Sequence, residues 1–154
     1  MAATHLATYL NDHLAGATAG LNLLEHLAPV VAGGPLAPLV AWLRADIAED
    51  KRLLEEAMAR NSVAQSMVRK AMGWLAEQAA QLKLKMDDKE GGSLRLLEAL
   101  EAISLGVEGK RCLWRALAAA GVPGADHAAL ERRAEEQRRR LEEARLLAAR
   151  EALR

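Results

Sequence analysis

Phenylalanine is absent from this chain of 154 residues, tyrosine occurs once, and aromatic residues make up only 3%. Val, Ile and Thr together are fewer than a tenth of the sequence, so the residue types that suit a pleated sheet are missing. The single cysteine, Cys112, cannot close an intramolecular disulfide. That excludes a disulfide scaffold and removes any need for an oxidising compartment. Neither sign of charge predominates: 21 basic residues face 21 acidic ones. No overall field therefore draws nucleic acid or an anionic membrane to the protein. Residues Met1 to Leu10 carry no Lys or Arg ahead of their apolar side chains, unlike a secretory signal. The longest stretch without formal charge, His26 to Leu43, holds Pro29, Pro35, Pro38 and Gly33-Gly34, which would break a membrane helix. The expectation is a soluble, cytoplasmic protein that binds neither membrane nor nucleic acid.

Ala, Leu, Glu and Arg dominate what remains, the composition of an all-α chain. The length suits a single domain, 1–154. Breakers divide it into five predicted helices. The first runs from about Thr4 to Ala28, stopped by Pro29, and the second from about Leu36 to Arg60, with Asn61 as a left-handed terminator. A third follows almost without linker from Ser62 to about Met86, and the polar turn Asp87–Gly92 leads to a fourth from Ser93 to about Ala120. The turn 121–124 separates a charged C-terminal helix, 125–154, starting at Asp126. Helices of this length joined mostly by short turns predict an antiparallel up-down four-helix bundle over 4–120, with the fifth helix packed along or beyond it.

Apolar spacing agrees. The first helix places Leu6, Leu10, Leu14, Ala17, Leu21, Leu24 and Ala28 at steps of three and four. The second gives Leu36, Val40, Leu43, Ile47, Asp50, Leu54 and Ala57, and the fourth Leu96, Leu100, Ile103, Val107, Lys110, Trp114 and Leu117. The fifth has a thin stripe of Leu130, Ala134, Gln137, Leu141, Ala144 and Ala148 among Glu–Arg pairs at i, i+4.

Two stripes are interrupted by charge, at Asp50 and Lys110, with Asp46, Glu101 and Glu108 alongside. His13 lies on a second seam of the first helix beside Gly16 and Gly20, glycines that suit close packing of a neighbour. Burying ionisable groups costs several kcal/mol unless they are paired, on the order of what a whole mutation costs. His13, Asp46, Asp50, Glu101, Glu108 and Lys110 are therefore expected to meet inside the bundle as a salt-bridged network that fixes register. The alternative is a di-metal carboxylate site for iron or manganese, using His13, Asp50, Glu101 and Glu108, with Asp46 beside them. Against it stand the absence of any Glu-x-x-His and the presence of Lys110, whose ammonium supplies the compensating positive charge.

Other chemistries are weaker. Cys112 has no histidine at helical spacing, no serine sits on a nucleophile turn, and no phosphate-binding glycine loop appears. Trp42, Trp74 and Trp114 read as large core residues, and Lys110 and Trp114 stand at i, i+4 for a cation–π contact. A small molecule held near Tyr9, Trp74 and Trp114 would require an apolar cavity.

The stretches Tyr9–Gly16, Ala48–Arg52 and Leu97–Lys110 resemble a bacterial family of unassigned activity that is itself similar to ferritin-like four-helix bundles. The resemblance spans about 4–120 and implies that fold. Ferritin-like relatives commonly oxidise or store iron, but their Glu-x-x-His ligands are not found in this sequence. The expected function is a bundle without catalytic metal or other cofactor, acting as a homodimer or other homo-oligomer or through a protein partner. The alternative is a metal-dependent oxidase or iron-handling protein.

Overall fold

The computed structural model describes residues 2–66 and 92–154. Among them are four helices and no strand: α1 Ala2–Val30, α2 Ala37–Arg60, α3 Gly92–Ala119 and α4 His127–Ala152. Most of the predicted third helix, with Val68, Met72 and Trp74, lies outside the described residues.

Local chemistry sets the ends. Pro38 occupies the first turn of α2, where a missing N–H costs nothing. Asp126 caps α4, its carboxylate accepting from Ala129 N at 2.9 Å. Pro29 does not stop α1, which runs on to Val30; a proline this near the end sacrifices one hydrogen bond of the last turn. The left-handed residue after α2 is Ser62, at φ 55°, and not Asn61, at φ −94°. Because Ser62 turns the chain, Val63 N reaches back to Met58 O at 2.9 Å and 63–66 are not helical. The expectation of a helix starting at Ser62 is corrected accordingly.

The helices pack in a ring: α1 against α2 and α3, α3 against α4, and α2 more lightly against α4. At one end the C-terminal halves of α1 and α4 meet the N-terminal halves of α2 and α3, burying Leu24, Leu27, Val40, Leu43, Leu97, Leu100, Leu141 and Ala144. At the other end Leu10, Leu54, Met58, Leu113, Trp114, Leu117 and Leu130 form a second cluster. Neighbours in the ring therefore run in opposite directions. The C-terminal helix is part of this ring rather than an appendage, and its whole thin stripe is buried. Small Ala134, Ala144 and Ala148 allow α3 and α4 a close approach, and α3·α4 is the most extensive pairing. No described helix is long and apolar enough to cross a membrane.

Candidate functional site

Midway along the ring, the two apolar clusters are separated by a polar junction. Asp50, at the stripe position of α2, is only 2% exposed, and Gln137 on α4 is fully buried. Lys110 reaches from α3 between them, donating from Nζ to Asp50 Oδ2 and to Gln137 Oε1. Gln137 Nε2 donates to Asp46 Oδ2 at 2.8 Å and to Asp50 Oδ2 at 3.1 Å. Arg133, one turn before Gln137, closes the rim: its Nη2 lies 2.9 Å from Asp50 Oδ1 and donates to Asp46 O at 3.0 Å. Its Nε lies 3.3 Å from Asp46 Oδ2. Asp50 Oδ1 and Arg133 Nε are nonetheless buried without an aligned hydrogen bond, so these Arg133–carboxylate contacts act through charge. Two carboxylates face two cations, and the junction is electrically balanced. Burial pushes the Lys110 ammonium below its ordinary 10.5, against the opposing pull of Asp50.

Asp46, Asp50 and Lys110 are thus brought together. Glu101 and Glu108 are not: the α3 face that carries them turns outward, where arginines meet them. Glu101 is exposed and pairs with Arg145 at 3.2 Å. Glu108 pairs with Arg111 at 2.8 Å and Arg138 at 3.0 Å, and the Arg111 guanidinium holds its carboxyl below 4.5. His13 packs edge-on against Tyr9, ring centres 4.7 Å apart, and burial lowers its pKa below 6.5. The ligand set of the di-metal alternative is therefore dispersed, and no group of three or more His, Cys, Asp or Glu among the described residues is placed to hold a metal.

Sequence reasoning missed Gln137 and Arg133 as members of the site. The signal was present, since Gln137 interrupts the α4 stripe as Asp50 and Lys110 interrupt theirs. It also missed Asn11, 5% exposed, which accepts from Ser66 N at 2.7 Å and donates to Ala64 O at 3.1 Å. The Lys110–Trp114 pairing is replaced by others: Lys110 turns to Asp50 and Gln137, Trp114 stacks on His127, and Arg140 lies over the Trp42 ring at 4.3 Å. Cys112 is exposed and contacts Glu108 Oε1 at 3.7 Å.

Beside the junction, among the described residues, an apolar cavity of about 460 Å³ lies between α1, α2 and α3. Gly16, Gly20 and Gly109 contribute to its wall, with Asp12, His13, Asp50, Lys51 and Lys110 as polar members, and it opens to solvent beside exposed Leu105 and Gly106. Comparison with protein-family models, curated proteins and solved structures finds no match.

Proposed function

We propose that the protein acts by association, pairing with a second copy of itself through one end of the ring. The observation that carries this reading is the gathering of exposed apolar side chains there. Val30 at the end of α1, Leu94 at the start of α3, and Leu146, Leu147 and Leu153 at the end of α4 are all exposed, Leu153 at 71%. These termini share the end at which Leu27, Val40 and Leu97 are buried, and the loop after Val30 adds exposed Ala32 and Pro35. Single surface leucines are ordinary, whereas a contiguous set rimmed by polar residues marks an interaction surface.

A second copy is the occupant favoured by charge. Glu25 and Arg44 already pair with each other at this end, while Arg150, Glu151 and Arg154 carry both signs there, so opposite charges of two such faces can meet across a two-fold axis. Sedimentation at high micromolar concentration should show a dimer, and Leu147→Glu with Leu153→Glu should return it to a monomer. A wild-type chain that stays monomeric throughout that range would overturn the reading.

A ferritin-like architecture and a cytoplasmic setting complete the proposal. The ferritin-like part is supported by the meeting of Asp50 and Lys110, which belong to two of the stretches that resemble that family. The di-metal alternative has less support. Lys110 and Arg133 already compensate Asp50 and Asp46, while Glu101 and Glu108 are engaged by arginines.

A further inference from the structure

We propose that the open groove between α1 and α3 is the seat of residues 67–91 of the same chain. The fourth place in the ring is taken by α4, so this segment has to pack outside it. α1 and α3 share an apolar cluster at each end of the ring. Between the clusters small residues leave the groove, Gly16, Ala17 and Gly20 on α1 and Ala102, Gly106 and Gly109 on α3. A Cβ built on Gly20, Gly106 or Gly109 meets nothing within 4 Å. From Leu14 to Leu24 α1 carries no charge on any face, as suits a helix covered on every side. Leu105 nevertheless stands 72% exposed beside the groove.

Two tethers and a length name the occupant. Ser66 N donates to Asn11 Oδ1 at 2.7 Å, next to Asp12 in the groove wall. Gly92 begins α3 at the opposite end of the ring, so residues 67–91 have to travel the length of the bundle. At 1.5 Å per residue, Asn11 lies about 29 Å from the end of α1 at Val30. A helix from Met67 to Met86 is about 30 Å long and leaves Asp87–Gly92 to reverse the chain. It carries a single apolar stripe of Val68, Met72, Leu75, Ala79, Leu82 and Met86 to bury. Charge agrees, because Arg69 and Lys70 enter at the end of the groove where Asp12 stands. Tethered at both ends, the segment is present at an effective concentration on the order of millimolar, which a second copy would have to outcompete. The surface for end-on association lies elsewhere on the ring, so the two readings stand or fall separately.

The test is hydrogen exchange on the full chain, joined to cross-linking in a Cys112→Ser background. Amides of residues 67–86 should exchange at least roughly tenfold more slowly than in an isolated peptide of that sequence. Gly20→Glu with Gly106→Glu should bring them back toward the peptide rate, while the amides of Leu43 and Leu141 keep their protection. The Ser66–Asn11 hydrogen bond also sets a register: Leu75 lies as far past Ser66 as Gly20 lies past Asn11. Gly20→Cys with Leu75→Cys should therefore be joined within one chain by a short bismaleimide, and Gly20→Cys with Met86→Cys should not. Peptide-like exchange in the wild type, or unchanged exchange in the folded double glycine variant, would overturn the proposal. If that variant does not fold, the cross-linking pairs decide alone. No link between positions 20 and 75 would overturn the proposal, and so would a link formed only between two chains, which would give the groove to a second copy.

Discussion

Gln137 donates to Asp50 Oδ2 at 3.1 Å through Nε2 while its Oε1 accepts from Lys110. That double role fixes the orientation of the amide and joins α2, α3 and α4 at one point. A leucine at any of the three positions would fill a core. The polar set instead gives each helix a single register at which all its partners are reached.

Removing one member should therefore cost more than a surface ion pair. Asp50→Ala is expected to destabilise by about 3–5 kcal/mol, because Lys110 is left buried with a single acceptor. Asp50→Leu combined with Lys110→Met should recover most of that loss, since the two charges leave together. Chemical denaturation of the single and double variants checks both statements. A loss below about 0.5 kcal/mol for Asp50→Ala would show that the junction is not buried in solution.

Acid should weaken the fold from the His13 side. Burial lowers the His13 pKa below 6.5, outweighing the opposite effect of Asp12. Under that pH the unfolded chain takes up a proton that the folded chain resists, so stability falls as pH falls through the window beneath 6.5. His13→Gln should flatten the decline between about pH 7 and about pH 5. Further down, Glu136 is held at about 2 by Arg139 and Arg140. Its contribution is present above 4.5 and is lost as pH drops toward that value. Urea midpoints across pH for wild type and His13→Gln separate the two windows.

Asn11 ties residues 64–66 to α1 through both ends of its amide. Asn11→Ala should cost about 1–3 kcal/mol, the range for buried partners left unpaired. Hydrogen exchange at the Ser66 amide should accelerate in the variant. An unchanged Ser66 amide would show that another contact holds this segment.

The periodic parts of the sequence were legible. The stripes of α2 and α4 match the buried residues, including the polar interruptions Asp50 and Gln137, because helical period alone decides which face turns inward. Asp50 and Lys110 follow from the same rule, whereas Asp46 flanks its stripe and joins the junction only because Gln137 and Arg133 reach it from α4. Glu101 and Glu108 did not, since they flank the α3 stripe, and which flank is buried depends on where neighbouring helices sit. The arginines that claim them, Arg145 on one side and Arg111 with Arg138 on the other, come partly from α4. The stripe of α4 is thin in the sequence, yet every member of it is buried and its pairing with α3 is the most extensive of the ring. The terminator at Ser62 was missed because asparagine is the commoner left-handed residue.

The connection between α3 and α4 is bolted down along its length. Asn61 donates to Pro123 O at 2.8 Å, Arg60 to Gly124 O at 3.3 Å, and His127 Nε2 lies 2.9 Å from Val122 O. A Cβ on Gly124 would come within 3.2 Å of the Ala57 methyl. An added or deleted residue here cannot be absorbed by slack. It would slide α4 along its own axis and carry Gln137 away from Lys110. Changes of chain length should be poorly tolerated between Gly121 and Asp126, although loops usually accept them, and better accepted around exposed Gly33.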